Sequence, residues 1–299
     1  MNHSDQDRPE NVIKVLHNHG MRMRVWEFIK GLKAPIYFTS ISPVLIGWSF
    51  SRFQISYIVP LLLLVTVSMQ AGMNLAMDYF DHENSRPLRN EDTVYPLGSY
   101  FIEKLGVKPS SVRVSFILML TVAVVTGLAV VYITRNLTLL YLGLTAVFLS
   151  LMYVVPPIKL GARGIGEVAT FFSFGPFPVL GTILALGHQV TLVEILVSLS
   201  LGLLASSIRY LHHLPEDRED GFRMKHFRII YPIMLITSSI MISVFGKLVI
   251  AAIIVFAVSL IHIAYLPRSS IKIARQTNYS VGLHFLFTML VIISVALFL

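Results

Sequence analysis

The stretch MNLAMDYFDHE, residues 73–83, closes a long apolar run yet carries Asn74, Asp78, Asp81 and Glu83. Upstream of it, residues 55–80 are long and apolar enough to cross a bilayer as a helix. On that helix Gln70, Asn74, Asp78 and Asp81 are spaced i, i+4, i+8 and i+11, which puts all four on one face. Met73, Leu75, Ala76 and Met77 lie around them and suit lipid or protein contact. Ionisable groups are costly in hydrocarbon, so such a polar stripe faces a bundle interior or a wet cavity.

The rest of the chain agrees with a membrane setting. Its 299 residues are 55% hydrophobic and only 13% charged, about half the charge of an ordinary soluble domain. The mean hydropathy is +0.72. Apolar windows fall near 34–52, 55–80, 112–134, 137–156, 166–187, 192–213, 228–246, 247–267 and 280–299. They predict an all-α polytopic membrane protein, with nine transmembrane helices around a central cavity opening to the cytoplasmic face. Only Gly246 and Lys247 separate the seventh and eighth windows, which predicts a tight helical hairpin. Residues 1–24 read as a polar, interfacial segment without a signal-peptide core, and 25–299 as one transmembrane domain. With no cysteine, disulfides, thiolate metal sites and cysteine nucleophiles are excluded.

The basic residues set the expected orientation. Of 24 Lys and Arg, 21 fall in the N-terminus or the even-numbered gaps between windows, against Arg52, Arg135 and Lys247 on the other side. This predicts a cytoplasmic N-terminus and an outside C-terminus in a cell membrane. The net charge of +8 is read as that bias, so no nucleic-acid partner is expected.

The sixth window ends as the second does. In RYLHHLPEDRED, Arg209, His213, Glu216 and Asp220 run i, i+4, i+7 and i+11, and Pro215 should break the helix. Two carboxylate clusters facing one cavity repel unless a cation lies between them. Oxygen donors without cysteine favour a hard cation, most simply Mg²⁺. Arg86, Arg89, Lys159, Arg163, Arg218, Arg223 and Lys225 are matching anion partners, and acid for metal beside base for phosphate is the chemistry of a diphosphate site. His212 and His213 read as hydrogen-bonded scaffold rather than a transition-metal pair, since no HExxH or ExxH spacing accompanies them.

These motifs resemble the UbiA superfamily of intramembrane prenyltransferases, which has nine transmembrane helices and Asp-rich motifs on the second and sixth. NLAMDYFD (74–81) is similar to the N-L-x-N-D-Y-x-D of the 1,4-dihydroxy-2-naphthoate polyprenyltransferase branch of menaquinone biosynthesis. PPIKLGARGIGEVATFFSFGPFPVLGT (156–182) and LKAPIYFTSISPVLIGW (32–48) resemble further segments of that branch, and the likeness spans roughly 25–299. Two departures stand out: in the first motif Met77 replaces a usual Asn, and in the second Glu216, Asp220 and Lys225 stand in the D-x-x-x-D and Lys positions while Met224 and Phe227 replace Gly and Thr.

The resemblance implies Mg²⁺-dependent transfer of a polyprenyl group from polyprenyl diphosphate to an aromatic acceptor, 1,4-dihydroxy-2-naphthoate. It implies Mg²⁺ held by Asp78, Asp81, Glu216 and Asp220, with Asn74 orienting a phosphate or a metal-bound water. Lys159, Arg163 and Lys225, with Arg86 and Arg89, would clamp the diphosphate. Tyr79, Tyr153, Phe171 and Phe174 are the aromatic faces that could stabilise an allylic cation. The alternatives are a 4-hydroxybenzoate or glycerol-phosphate-type acceptor, or a cation-coupled transporter. A transporter would place its acids nearer the bilayer midplane. A CDP-alcohol phosphatidyltransferase is disfavoured, because DGFRMK from Asp220 lacks the Ala-Arg pair of its motif. Oligomeric state is not legible.

Overall fold

A computed structural model describes residues 26–84, 96–162, 165–214, 221–267, 272–273 and 275–298. Helical residues 26–32 lead through Lys33, in the left-handed region at φ 56°, into a 3-10 turn at Ala34–Tyr37. Then follow α1 Phe38–Phe50, α2 Ile58–Glu83, α3 Pro109–Thr134, α4 Leu137–Val154, α5 Gly166–Phe174, α6 Pro176–Ala185, α7 Leu192–His212, α8 Phe222–Ser243, α9 Val249–Ala264 and α10 Thr277–Phe298. There is no strand among the described residues, as the period of the apolar windows requires.

Eight segments are long and apolar enough to span a membrane, with α5 and α6 together making one of them. The ninth expected span, 34–52, is the 3-10 turn followed by the 13-residue α1, about 20 Å of helix. Pro35 has no amide hydrogen to continue a helix from upstream, so the regular helix begins only after the turn. The hairpin expected at Gly246 forms through a 3-10 turn over Gly246–Leu248. Helix α7 ends at His212, and Pro215, the expected breaker, lies outside the described residues.

The two halves of the bundle pack differently. Helix α7 is the buried axis: 61% of its apolar window is inside the protein, against 6% for α4. Small residues make this possible. A Cβ at Gly202 would lie 2.6 Å from the Phe171 carbonyl oxygen, and one at Gly175 would lie 2.5 Å from that of Ser198. Backbone thus meets backbone where the α5–α6 junction crosses α7, the usual way membrane helices approach closely. A continuous core joins α1 and α6–α10 through Ile46, Val179, Leu201, Leu235, Val255 and Phe287. By contrast, α3 and α4 turn Val125, Tyr132, Tyr141 and Phe148 outward, as lipid-facing walls do.

Gly202→Leu should therefore overpack this crossing and destabilise the protein by about 1–3 kcal/mol. The check is the thermal midpoint and monodispersity of the variant in detergent. A midpoint equal to the parent's would show that the crossing can open without cost.

Candidate functional site

Helix α2 carries the polar stripe inward as its spacing requires. Gln70, Asp78 and Asp81 are all buried. Gln70 accepts a 2.5 Å hydrogen bond from Ser40 Oγ and donates to the Ile36 carbonyl at 3.3 Å, which ties α2 to the turn before α1. Asp78 Oδ1 accepts from Ser99 Oγ and Oδ2 from the Phe101 amide, both at 2.9 Å. That carboxylate holds the short helical turn Tyr100–Lys104 over the end of α2. One turn further, Asp81 pairs with Lys159 Nζ at 3.1 Å, and Lys159 sits at φ 41° in the loop after α4.

Two connected spaces meet at this stripe. The smaller, about 20 Å³, is bounded by Asp78, Asp81, Lys159, Gly161 and Tyr100, among others. The larger, about 340 Å³, runs between α1–α7 and is mostly apolar, with Arg209, His212 and His213 at its polar end. Lys33, Asn74, Met77, Tyr153 and His213 line both. The Asn74 Nδ2 is buried at the junction, where the amide meets the Tyr37 hydroxyl. Along α2 the larger space reaches from Met77 to Leu62, about 22 Å of helix. Val124, Leu128 and Leu144 line it yet are 38%, 51% and 58% exposed, so it opens sideways between α3 and α4.

Behind the polar end lies a buried ionic cluster. Arg209 donates through Nη1 to Glu167 at 2.5 Å, through Nε to the Tyr153 hydroxyl at 2.7 Å, and through Nη2 to the Gly161 carbonyl at 2.7 Å. Its guanidinium also lies over the Tyr153 ring, 5.2 Å from the centroid. Arg223 reaches the same Glu167 at 3.2 Å. A Cβ at Gly166 would fall 2.4 Å from Arg209 Nη2, so the glycine before Glu167 makes room for the guanidinium.

The structure thus gathers Asn74, Asp78, Asp81, Tyr153 and Lys159. Arg86, Arg89, Arg163, Glu216 and Asp220 lie outside the described residues. Lys225 is not brought to either space and is exposed on the first turn of α8. Arg223 takes the inward position there, and a residue two further on is turned about 200° away. Of the other aromatic candidates, Phe174 lines the larger space. Tyr79 packs instead edge-on against Phe80 and tilted against Phe116, and Phe171 packs edge-on against Phe172. Sequence reasoning missed Lys33 and Glu167. Their signals were present, in a lysine before the first span and in the GE pair within RGIGE.

A hard cation fits the donors that are present. Among the described residues no three His, Asp or Glu side chains gather. Asp78 and Asp81 nevertheless offer carboxylate oxygens one turn apart, and Mg²⁺ is commonly held by one or two carboxylates plus substrate phosphate. Asp78 accepts from Ser99 Oγ and from the backbone amides of Phe101 and Ile102, and the roughly four lone-pair sites of a carboxylate still leave it capacity for a cation.

No family model matches the chain. It is 27% identical over 203 residues to a 1,4-dihydroxy-2-naphthoate octaprenyltransferase of Haemophilus influenzae, covering 66% of this chain but 65% of that relative, just under two thirds of its length. It is 26% identical to the protein of the same name from Mycobacterium leprae, covering 72% of this chain and 76% of that one. A solved structure concerned with digeranylgeranylglyceryl phosphate synthase in membranes superposes with TM-score 0.61 at 12% identity, covering 92% of this chain and 99% of that one. A UbiA homolog from Archaeoglobus fulgidus superposes with TM-score 0.60 at 14% identity over 90% and 98%. The chain is thus similar in sequence to these naphthoate prenyltransferases and shares the fold of these two solved structures.

Proposed function

We propose that this protein transfers a polyprenyl group from polyprenyl diphosphate to 1,4-dihydroxy-2-naphthoate, as the names of its sequence relatives suggest. The observation that carries the reading is the two-part cavity: carboxylates and bases at one end, an apolar interior of about 340 Å³, and a side opening between α3 and α4. A molecule with an anionic head and a long hydrocarbon tail matches that division. The head belongs at Asp78, Asp81, Lys159 and Lys33, and the tail among Val65, Met69, Val147 and Phe174. Tails too long for the interior leave by the side opening into lipid.

Bound Mg²⁺ would neutralise diphosphate and favour its departure. Asp78 and Asp81 would hold it, with Glu216 and Asp220 as the further carboxylates expected from the sequence. Lys159 and Lys33 place positive charge beside the same head group. The Asn74 amide, which lines both spaces, would donate to a phosphate oxygen or to the acceptor. As the allylic carbon–oxygen bond breaks, its electron pair leaves with diphosphate. The allylic carbon bonds to an acceptor ring carbon, which then loses a proton, or its carboxyl group together with a proton. Tyr153, fixed by Arg209, presents a ring to the growing positive charge. The apolar walls keep water from the cation. The charge bias of the loops puts this chemistry on the cytoplasmic side.

The test is purified protein in nanodiscs with geranylgeranyl diphosphate, 1,4-dihydroxy-2-naphthoate and Mg²⁺, followed by diphosphate release and product mass. Prenylated product that disappears with EDTA is the expected result. Diphosphate release without product would move the search to other phenols. No release with any acceptor or chain length would reject transferase chemistry and favour transport.

A further inference from the structure

Among the described residues, five side chains line both the polar and the apolar space: Lys33, Asn74, Met77, Tyr153 and His213. With the diphosphate on the carboxylate side and the tail on the apolar side, the allylic carbon that changes partners falls between the two, at these five. The acceptor must reach the same place. Its ring attacks more readily as a hydroxyl proton is removed, and the mechanism above leaves that proton without a recipient.

The chemistry of the five narrows the choice. Asparagine and methionine offer no basic atom. Lysine carries its proton at neutral pH as a rule, and its charge belongs beside the diphosphate. The Tyr153 hydroxyl already accepts from Arg209 Nε at 2.7 Å, with the guanidinium over its ring. The carboxylates of the small space are engaged as well, Asp78 by Ser99, Phe101 and Ile102 and Asp81 by Lys159. Of the five, imidazole is the side chain suited to taking up and returning a proton between pH 5 and 8.

The fold brings that ring to the junction. His213 caps the C-terminus of α7, where its amide closes the last turn on the Arg209 carbonyl at 3.0 Å. It is buried, and the His212 ring stands edge-on to it with centroids 4.9 Å apart. The negative end of the α7 dipole favours the positive charge that the ring gains.

We propose that His213 is the general base of prenyl transfer and takes the acceptor's hydroxyl proton. The inference rests on the reading of the site as a naphthoate prenyltransferase. The proton moves to an imidazole nitrogen as the electron pair of the acceptor ring carbon forms the bond to the allylic carbon. The allylic carbon–oxygen pair leaves with diphosphate. The acceptor is then a ketone that carries prenyl and carboxylate on one carbon. Loss of the carboxylate as CO₂ returns an electron pair to the ring and leaves an oxyanion, which takes the proton back from His213. The base ends the cycle neutral.

The experiment uses the full protein in nanodiscs with geranylgeranyl diphosphate, Mg²⁺ and 1,4-dihydroxy-2-naphthoate. His213→Ala and His213→Gln are compared with the parent, the glutamine variant keeping a polar side chain of similar reach. Three readouts are taken: turnover, the rise in thermal midpoint that the diphosphate donor induces, and turnover with added imidazole. The expected result is a loss of turnover of about 10²-fold or more in both variants. The donor-induced midpoint rise should persist, and imidazole should restore turnover to His213→Ala but add nothing to the parent. Turnover above about a tenth of the parent's in either variant would overturn the proposal. So would a loss that imidazole does not relieve, or the joint loss of turnover and donor-induced midpoint rise, which would make His213 part of the head-group site. A parent that binds the donor yet releases no diphosphate with this acceptor would reject the transferase reading and this proposal with it. A parent that turns over beside equally active variants would reject the proposal alone.

Discussion

Asp81→Ala should reduce prenyl transfer on the order of 10²–10³-fold and lower the thermal midpoint as well. Both effects follow from what Asp81 touches. Lys159 Nζ lies 3.1 Å away, both side chains are largely buried, and both border the small polar space. Removing the carboxylate leaves a mostly buried ammonium without that counter-charge, at a cost of up to about 3–5 kcal/mol. The same carboxylate is one of two among the described residues available to hold a divalent cation against a diphosphate, so its removal also raises the barrier. Asp78→Ala acts through different contacts. It removes the acceptor for Ser99 and for the Phe101 amide, leaving a buried backbone donor unsatisfied at a cost of about 1–3 kcal/mol. That variant should lose activity and stability together. Turnover and melting, measured on the same nanodisc preparations, separate the two. If Asp81→Ala retained more than about a tenth of parental turnover, Asp81 would be a structural partner of Lys159 and not part of the head-group site.

How much of this was legible beforehand depended on whether a feature is local. The α2 stripe was readable because a period of 3.6 residues fixes which side chains share a face, and Gln70, Asp78 and Asp81 are indeed the inward ones. The number of spans was nearly readable from hydropathy. It fell short only where a 3-10 turn shortens the first regular helix. Lys225, expected in the diphosphate clamp, is exposed on the first turn of α8, where Arg223 holds the inward place, and motif register says nothing about which residue of a first turn faces inward. Glu167 was missed for a related reason. Its partners Arg209 and Arg223 are 42 and 56 residues away in the chain, and no local pattern declares such a pairing. Met77 was flagged only as a departure from a motif. The structure gives the departure a place, at the junction of the two spaces where an acceptor would lie. A thioether there offers dispersion contact and little hydrogen bonding.

The largest effect on stability is expected at Glu167. The carboxylate lies between Arg209 and Arg223, at 2.5 and 3.2 Å, and all three side chains are largely buried. Assembling such a cluster gains little net stability, since desolvation offsets most of the attraction. Breaking it is another matter. Glu167→Ala leaves two guanidinium groups without their shared counter-charge, a change that costs about 3–5 kcal/mol for one buried partner. The loss should also reach the site, because Arg209 orients both Tyr153 and the Gly161 carbonyl. Glu167→Gln keeps an acceptor but not the charge, and should fall between the parent and the alanine variant. Replacing all three residues by apolar ones of similar size should recover much of the stability, because no charge is then stranded. It should not recover activity, because Tyr153 would still lack its partner. Thermal unfolding of the single and triple variants, with transfer assayed on each, tests both halves. A Glu167→Ala midpoint equal to the parent's would mean that water or lipid head groups replace the carboxylate, and that the cluster is not the clamp holding α5, α7 and α8 together.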